Sequence, residues 1–261
     1  MNAKLDVVDP SVFGAATCQG ASPIVAFRSK NGFDALVPHL STIKHQVLIS
    51  LFAMAKQLPY RLSRKSALVL LPPSHIAAPI EAVRRIHDKQ FHRWPAHINL
   101  LYPFFSSPSE PSEQEGADSV LKQDLRMRIE IATRKIPPFD ISLNANPPGV
   151  FQHSRKCAVW LGPTTKSVHD LQAALQAGLL DVHKDRRPFK PHLSVGQAGS
   201  QIIVDRVSAD VKKSVFDFLS EGGRGDAPIA LDWHVDRVHV IERKGDKDRF
   251  RIIGTIELGK E

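Results

Sequence analysis

Ala96-His97-Ile98-Asn99-Leu100-Leu101-Tyr102 and Pro191-His192-Leu193-Ser194-Val195 are the two stretches on which the reading of this chain turns. Each is an apolar run broken by a histidine and, two positions later, by a short polar residue. Strand alternation sends residues i and i+2 to one face. His97 therefore shares a face with Asn99, and His192 with Ser194, while Ile98, Leu100, Leu193 and Val195 point the other way. Taken singly, each histidine reads as a structural strand residue satisfied by backbone. Taken as a pair, they read as two halves of one site. Paired imidazoles beside hydrogen-bonding side chains suit proton transfer to and from a phosphate ester.

The flanking elements support a duplicated order. Ala67 to Leu71 reads as a buried strand stopped by Pro72-Pro73. Pro79 suits the first turn of a helix that carries Ile80, Val83 and Ile86 at helical spacing, and the first histidine strand follows. Ser106 to Gly116, rich in Ser, Pro and Glu, reads as an exposed loop. A helix is expected from Asp118, as N-cap, to Lys135. Phe139 to Leu143 alternates like a half-buried strand. The order then repeats. Cys157 to Leu161 reads as a strand. Thr164 or Thr165 caps a helix striped by Val168, Leu171, Leu175, Leu179 and Val182. After the second histidine strand comes a helix with Val204, Val207, Val211, Val215 and Phe218 on one face. Two strands, Val235 to Glu242 and Phe250 to Leu258, close the chain. Each half thus reads strand, helix, histidine strand, helix, strand: an internal repeat of a whole lobe.

The expected fold is therefore α+β and bilobal. Two pseudo-twofold-related lobes, packed sheet to sheet, would have antiparallel sheets lining a central groove and helices outside. Residues 66–261 form this domain. Residues 1–65 read as an N-terminal extension, an arm or lid with a helix over Val47 to Ala55.

Composition narrows the classes. The chain has 261 residues, 42% of them apolar, enough for a substantial core. Its formal charge of +8 comes from 35 basic and 27 acidic residues, which favours polyanionic partners. The two cysteines, Cys18 and Cys157, form no zinc spacing and no disulfide framework, which fits a reducing compartment, cytoplasmic or nuclear. No run approaches the ~20 apolar residues of a membrane span, and the N-terminus does not read as a secretory signal. Among the 12 histidines there is no His-Glu-x-x-His. The pairs His87/His92 and His234/His239 are spaced five apart and read as surface or packing residues.

The two motifs resemble the paired His-x-Thr/Ser-apolar motifs of the 2H phosphoesterases. The flanks Trp94-Pro95-Ala96-His97-Ile98-Asn99-Leu100-Leu101-Tyr102-Pro103-Phe104 and Pro188-Phe189-Lys190-Pro191-His192 look like the eukaryotic 2′,5′ RNA ligase-like branch. The likeness covers Ser66 to Leu258. Asn99 departs from the pattern, standing where much of the superfamily has Thr or Ser. The resemblance implies a metal-independent cyclic phosphodiesterase without a cofactor. His192 would activate water and His97 would protonate the leaving oxygen, with roles that reverse between the two steps of a transesterification-then-hydrolysis path. Asn99 and Ser194 would hold phosphate oxygens. Lys190 could attract phosphate. Tyr102, Phe189 and Phe151 are candidates to stack on a base, while Trp94 and Trp160 read as structural. The basic segment Lys184-Asp185-Arg186-Arg187, and more weakly Arg61, Arg64 and Lys65, could recruit RNA phosphates. The expected partner is RNA or a nucleotide with a 2′,3′-cyclic or 2′–5′ phosphodiester. No membrane is involved, and the protein is expected to be a monomer. A nucleotide- or RNA-binding module with little turnover is the alternative from another class.

Overall fold

The computed structural model describes residues 62–111, 119–153, 156–180, 188–223 and 228–260. The expected helix at Val47–Ala55 lies outside the described residues, as do Arg61, Asp118, Val182 and Lys184–Arg187. The elements in chain order are β1 (Leu62–Ser63), β2 (Ser66–Leu70), α1 (Ser74–His87), β3 (Ile98–Leu101), β4 (Phe104–Phe105), β5 (Ser109–Pro111), β6 (Ser119–Leu121), α2 (Gln123–Thr133), β7 (Phe139–His153), β8 (Lys156–Pro163), α3 (Ser167–Gly178), β9 (Leu193–Ala198), α4 (Gln201–Glu221), β10 (Ala230–Val235), β11 (Arg237–Glu242) and β12 (Arg251–Glu257).

The α+β class is as expected. One antiparallel sheet of eight strands runs in the order β10-β7-β8-β9-β3-β2-β11-β12. Its two halves of four strands meet edge to edge, rather than sheet to sheet, at the single pair Ile98↔Leu193. These are called below the His97 side (β3-β2-β11-β12) and the His192 side (β9-β8-β7-β10).

The repeat does not fold as two consecutive lobes. β7, the last strand of the first repeat, pairs with β8 and β10 on the His192 side. β11 and β12, which end the second repeat, extend the His97 side, β11 pairing with β2 and β12 with β11. The helices cross over as well: α1 packs on β9 and α4, and α3 packs on β3 and α2. Each half of the sheet is therefore completed by chain from the other repeat, which ties the two histidine strands together.

Alternation decides what faces the helices. Leu68, Leu70, Ile98, Leu100, Leu193 and Val195 join one large core with the helix stripes. In α4, Val204, Val207, Val211, Val215 and Leu219 are each at most 3% exposed. Burying such side chains contributes about 1.5–3 kcal/mol each, as an upper bound. The opposite face carries a smaller cluster of Ala67, Val69, Ile241 and Phe250, with Leu71, Trp94 and Tyr102 against it.

Several local expectations are corrected. Pro79 sits inside α1, which starts at Ser74. The apolar stripe outweighs the one helical hydrogen bond that proline removes, because Ile76, Pro79, Ile80 and Val83 are all buried. Ile86 points to solvent, 75% exposed, since it falls off that stripe. α2 starts at Gln123, not Asp118, because Ser119–Leu121 pairs with Ser109–Pro111 as a hairpin. Part of the expected Ser106–Gly116 loop is thus strand. The close of the chain holds three strands rather than two, with β10 pairing to β7. Leu62–Ser63, assigned to the extension, pairs with Phe104–Phe105.

Candidate active site

Both histidines lie one residue before their strands, β3 and β9. The antiparallel pair Ile98↔Leu193 sets the register between them. Carried one step in each direction, it puts His97 opposite Ser194 and Asn99 opposite His192 on the face away from the main core. Cross-strand neighbours of this kind lie ~5 Å apart at Cβ. All four motif residues therefore converge where the two sides of the sheet join. The charge of His192 reaches His97 and lowers its proton affinity.

Each imidazole is held in the same way. His97 Nδ1 donates to the carbonyl oxygen of Pro95 at 2.8 Å, and His192 Nδ1 donates to that of Lys190 at 2.8 Å. A carbonyl can only accept, so the neutral rings carry their proton on Nδ1. Nε2 is the reactive nitrogen of both. This repeated contact fixes the tautomer in each motif independently.

The surroundings then differ. The His97 ring stacks on Trp94, centroids 4.6 Å apart, and Trp94 stacks on Phe250 at 3.8 Å. Burial in this stack pushes the His97 pKa down to about 4, with Arg84 and His192 adding to the effect. Asn99 Nδ2 donates to His97 Nε2 across 3.1 Å. Protonating Nε2 would set two donors face to face, so the amide must turn over before His97 can hold a second proton. The other amide atom, Asn99 Oδ1, is buried without a hydrogen-bond partner among the described residues.

His192 meets Phe151 edge-on at 4.8 Å and Trp160 at 6.2 Å. Phe151 stacks on Trp160, and Lys190 Nζ lies 5.1 Å and 4.8 Å from the two ring centres. Trp160 fits there because it lies against glycine. A Cβ on Gly149 would come within 2.2 Å of the indole, and one on Gly162 within 2.5 Å. A hollow of about 470 Å³ opens beside Trp160, Lys190 and Pro191. His192 too is pushed below the ordinary histidine range, first by burial and then by the Lys190 charge.

The loop that presents His97 is fastened from below. Arg84 on α1 is 2% exposed and donates from Nη2 to Asp88 at 2.8 Å and to the Trp94 carbonyl at 2.9 Å. Its Nη1 donates to Glu81 Oε1, which also accepts from Ala96 N–H at 3.0 Å. Asp88 accepts from Gln197 on β9 at 2.7 Å, linking the clamp to the second histidine strand. A buried arginine costs heavily unless paired, and two carboxylates and a carbonyl meet that need here. Only an arginine on the apolar stripe of α1, with acids at i−3 and i+4, could have signalled it in the sequence.

The other expected residues fall out as follows. Lys190 and Phe151 stand at His192. Tyr102 meets Trp94 edge-on at 5.4 Å and belongs to the cluster that fills the His97 side. Phe189 packs on the main core and meets His169 edge-on. Trp94 and Trp160, read as structural, are the ring contacts of the two histidines. His87, His234 and His239 hydrogen-bond to Asp210, Asp140 and Thr255. Among the described residues no three His, Cys, Asp or Glu side chains come together to hold a metal, and no helix is long and apolar enough to cross a membrane.

The family model described as the 2′-5′ RNA ligase superfamily matches residues 72–247, a stretch that holds both motifs and the clamp. The chain belongs to this superfamily, the 2H phosphoesterases. Among solved structures it is similar to LigT of E. coli in apo form, at 14% identity and a TM-score of 0.44, over 77% of this chain and 100% of that one. TT0787 of Thermus thermophilus matches at 16% identity and a TM-score of 0.44, over 75% and 98%. Usb1 of Kluyveromyces marxianus matches at 14% identity and a TM-score of 0.35, over 75% and 99%. A search of curated proteins finds no match.

Proposed function

We propose that this 2H phosphoesterase hydrolyses a nucleoside or RNA 2′,3′-cyclic phosphate to a monoester, using His97 and His192 as the acid–base pair without a metal. The observation that carries the reading is the repeated tautomer lock. Both imidazoles tie Nδ1–H to the carbonyl two residues back, leaving two Nε2 atoms for chemistry at one strand junction. One Nε2 must take a proton from water while the other, protonated, gives one to the leaving sugar oxygen. General acid–base help of this kind is typically worth ~10²- to 10⁴-fold. Ser194 and Asn99 would hold the non-bridging oxygens, and Lys190 adds positive charge beside His192.

The resemblance gave water to His192 and the leaving oxygen to His97. Burial favours the reverse order in the free protein. His97, held neutral by its stack, suits the base, and the more open His192 suits the acid. The hollow beside Trp160, with Phe151 and Lys190, fits a stacked base on the acid's side.

Asn99 favours a second reading, a nucleotide-binding module with little turnover, because its amide occupies the Nε2 lone pair that a base needs. One assay separates them. The protein is incubated with EDTA and either a nucleoside 2′,3′-cyclic phosphate or a 2′–5′ linked dinucleotide, and the products are resolved by chromatography. Conversion of the cyclic phosphate to a monoester is expected. Conversion of the 2′–5′ dinucleotide alone would name that substrate instead. Tight binding with no product from either supports the module, and a requirement for added metal defeats the proposal.

A further inference from the structure

Six basic residues from three separate segments are gathered beside the turn between β1 and β2. Arg64 and Lys65 lie in the turn between β1 and β2, Arg93 precedes Trp94, and Lys244, Lys247 and Arg249 lie in the loop joining β11 to β12. These segments, distant in sequence, are stitched together by backbone. Arg243 N–H donates to the Lys65 carbonyl at 2.8 Å, and Phe250 N–H to the Arg93 carbonyl at 2.9 Å. Lys65 Nζ donates to the Lys244 carbonyl at 3.2 Å. Five of the six side chains are exposed, and Arg93 is partly so.

The acids in the loop are spent on its own shape. Asp248 accepts from Gly245 N–H at 2.6 Å. Asp246 pairs with Arg243 at 3.3 Å and with Lys65 at 3.7 Å. Among the described residues, Arg64, Arg93, Lys244, Lys247 and Arg249 have no ion-pair partner. The far edge of the sheet is unlike this one. There the exposed polar positions of β10 and β7 include Asp232, His234 and Asp140, with His234 bonded to Asp140.

The basic edge is joined to the chemistry by a ladder of rings. Arg243 Cζ lies 5.5 Å from the Phe250 ring centre, Phe250 stacks on Trp94, and Trp94 stacks on His97. Arg93 and Arg249 are the chain neighbours of Trp94 and Phe250. A mononucleotide has its phosphate between the histidines and nothing to place here. A strand that continues past the reacting phosphate brings further negative charges to this edge, where uncompensated cations give sequence-independent affinity. The loop Lys244-Gly245-Asp246-Lys247-Asp248-Arg249 has no apolar residue to enter a lipid surface, which favours nucleic acid over membrane.

We propose that the β11–β12 loop, with Arg64, Lys65 and Arg93, is a phosphate-tracking surface that holds an RNA strand whose reacting end lies between His97 and His192. The substrate is then an RNA end rather than a free nucleotide, an inference that rests on the groove being a phosphodiesterase site.

The test uses the full chain and the triple variant Lys244→Ala, Lys247→Ala, Arg249→Ala. None of the three touches the histidines. Against an RNA of about ten nucleotides ending in a 2′,3′-cyclic phosphate, kcat/KM is expected to fall ~10- to 100-fold, with turnover of a nucleoside 2′,3′-cyclic phosphate unchanged. Binding of the same RNA ending in a 3′-phosphate is measured against salt, independently of any reaction. Loss of three contacts should flatten the log–log salt slope by about 2. If the unaltered protein turns over neither substrate but the slope still flattens, the catalytic reading fails and the surface stands. Unchanged RNA affinity in the variant, no RNA binding by the unaltered protein, an equal loss on the nucleoside substrate, or binding to phosphatidylserine vesicles in place of RNA would overturn the surface.

Discussion

The two histidines carry the same motif and the same Nδ1 contact, yet the chain around them was put to opposite uses. On the His97 side the sheet face that carries the motif is filled. Ala67, Val69, Ile241, Phe250 and Tyr102 pack around Trp94, which stacks on the ring, and a buried arginine fastens its loop. On the His192 side the corresponding face is an open stack of Phe151 and Trp160 capped by Lys190, beside a hollow. Val69 pairs with Asn99 in one half and Trp160 with Ser194 in the other, so the same lattice position holds a small core residue on one side and an indole on the other. The proposed function divides labour accordingly. The filled side would set the protonation state of its imidazole, and the open side would receive the ligand.

The largest expected effect tests whether both halves are needed at all. His97→Ala and His192→Ala should each lower turnover of the cyclic phosphate by ~10²- to 10⁴-fold, about 3–5 kcal/mol of barrier, with unchanged circular dichroism. Full activity in either variant would remove it from the mechanism.

Next comes the contrast between the flanking rings. Trp94→Ala should cost about 3–5 kcal/mol of stability, read from urea unfolding, because it empties a packed stack. Phe151→Ala should leave unfolding nearly unchanged and raise the Kd for the nucleoside monophosphate product by about 1–3 kcal/mol. The same signature from both variants would erase the distinction between filled and open.

The pH dependence of stability is expected to be smaller for each group involved. His97 titrates at about 4 when folded and near 6.5 when unfolded, and so does His239, desolvated on β11 with Arg237 nearby. Between those values the unfolded chain binds more protons, so stability is full above pH 6.5, falls as pH drops toward 4, and levels below it. Each group accounts for on the order of 2–3 kcal/mol across that window. Urea unfolding at pH 7.5 and 4.5 should show the drop, with His97→Gln shrinking it more than His192→Gln. A flat profile would contradict the burial of His97.

Asn99→Ser is the finest probe. It removes the amide from Nε2 and gives the first motif the short hydroxyl of the second, with a gain in turnover of a few-fold, about 1 kcal/mol. A large loss instead would show that the amide itself is needed, through its hold on phosphate.

Much of the site was legible in the sequence because its logic is local. Period-two alternation put His97 with Asn99 and His192 with Ser194, and the stripes of α3 and α4 followed the 3.6 period. The misplaced start of α2 had a non-local cause, since Ser119–Leu121 is claimed by a hairpin with Ser109–Pro111. Tyr102 and Phe189 were named as base contacts because aromatics near a motif look alike in sequence. Their roles differ only through what packs on them.

The letters of the chain were enough for the two motifs, the faces they share, the helices that cover them and the superfamily. Each of these depends on residues a few positions apart. Closure of the sheet was needed for β7 and β11–β12 to trade halves, and for Phe250 to reach Trp94 and dry His97. It was needed as well for Gly149 to make room for Trp160 beside His192, and for Arg84 to be buried beneath the loop. Those outcomes rest on desolvation and cross-strand contact between distant segments, and such energies exist only once the whole sheet has formed.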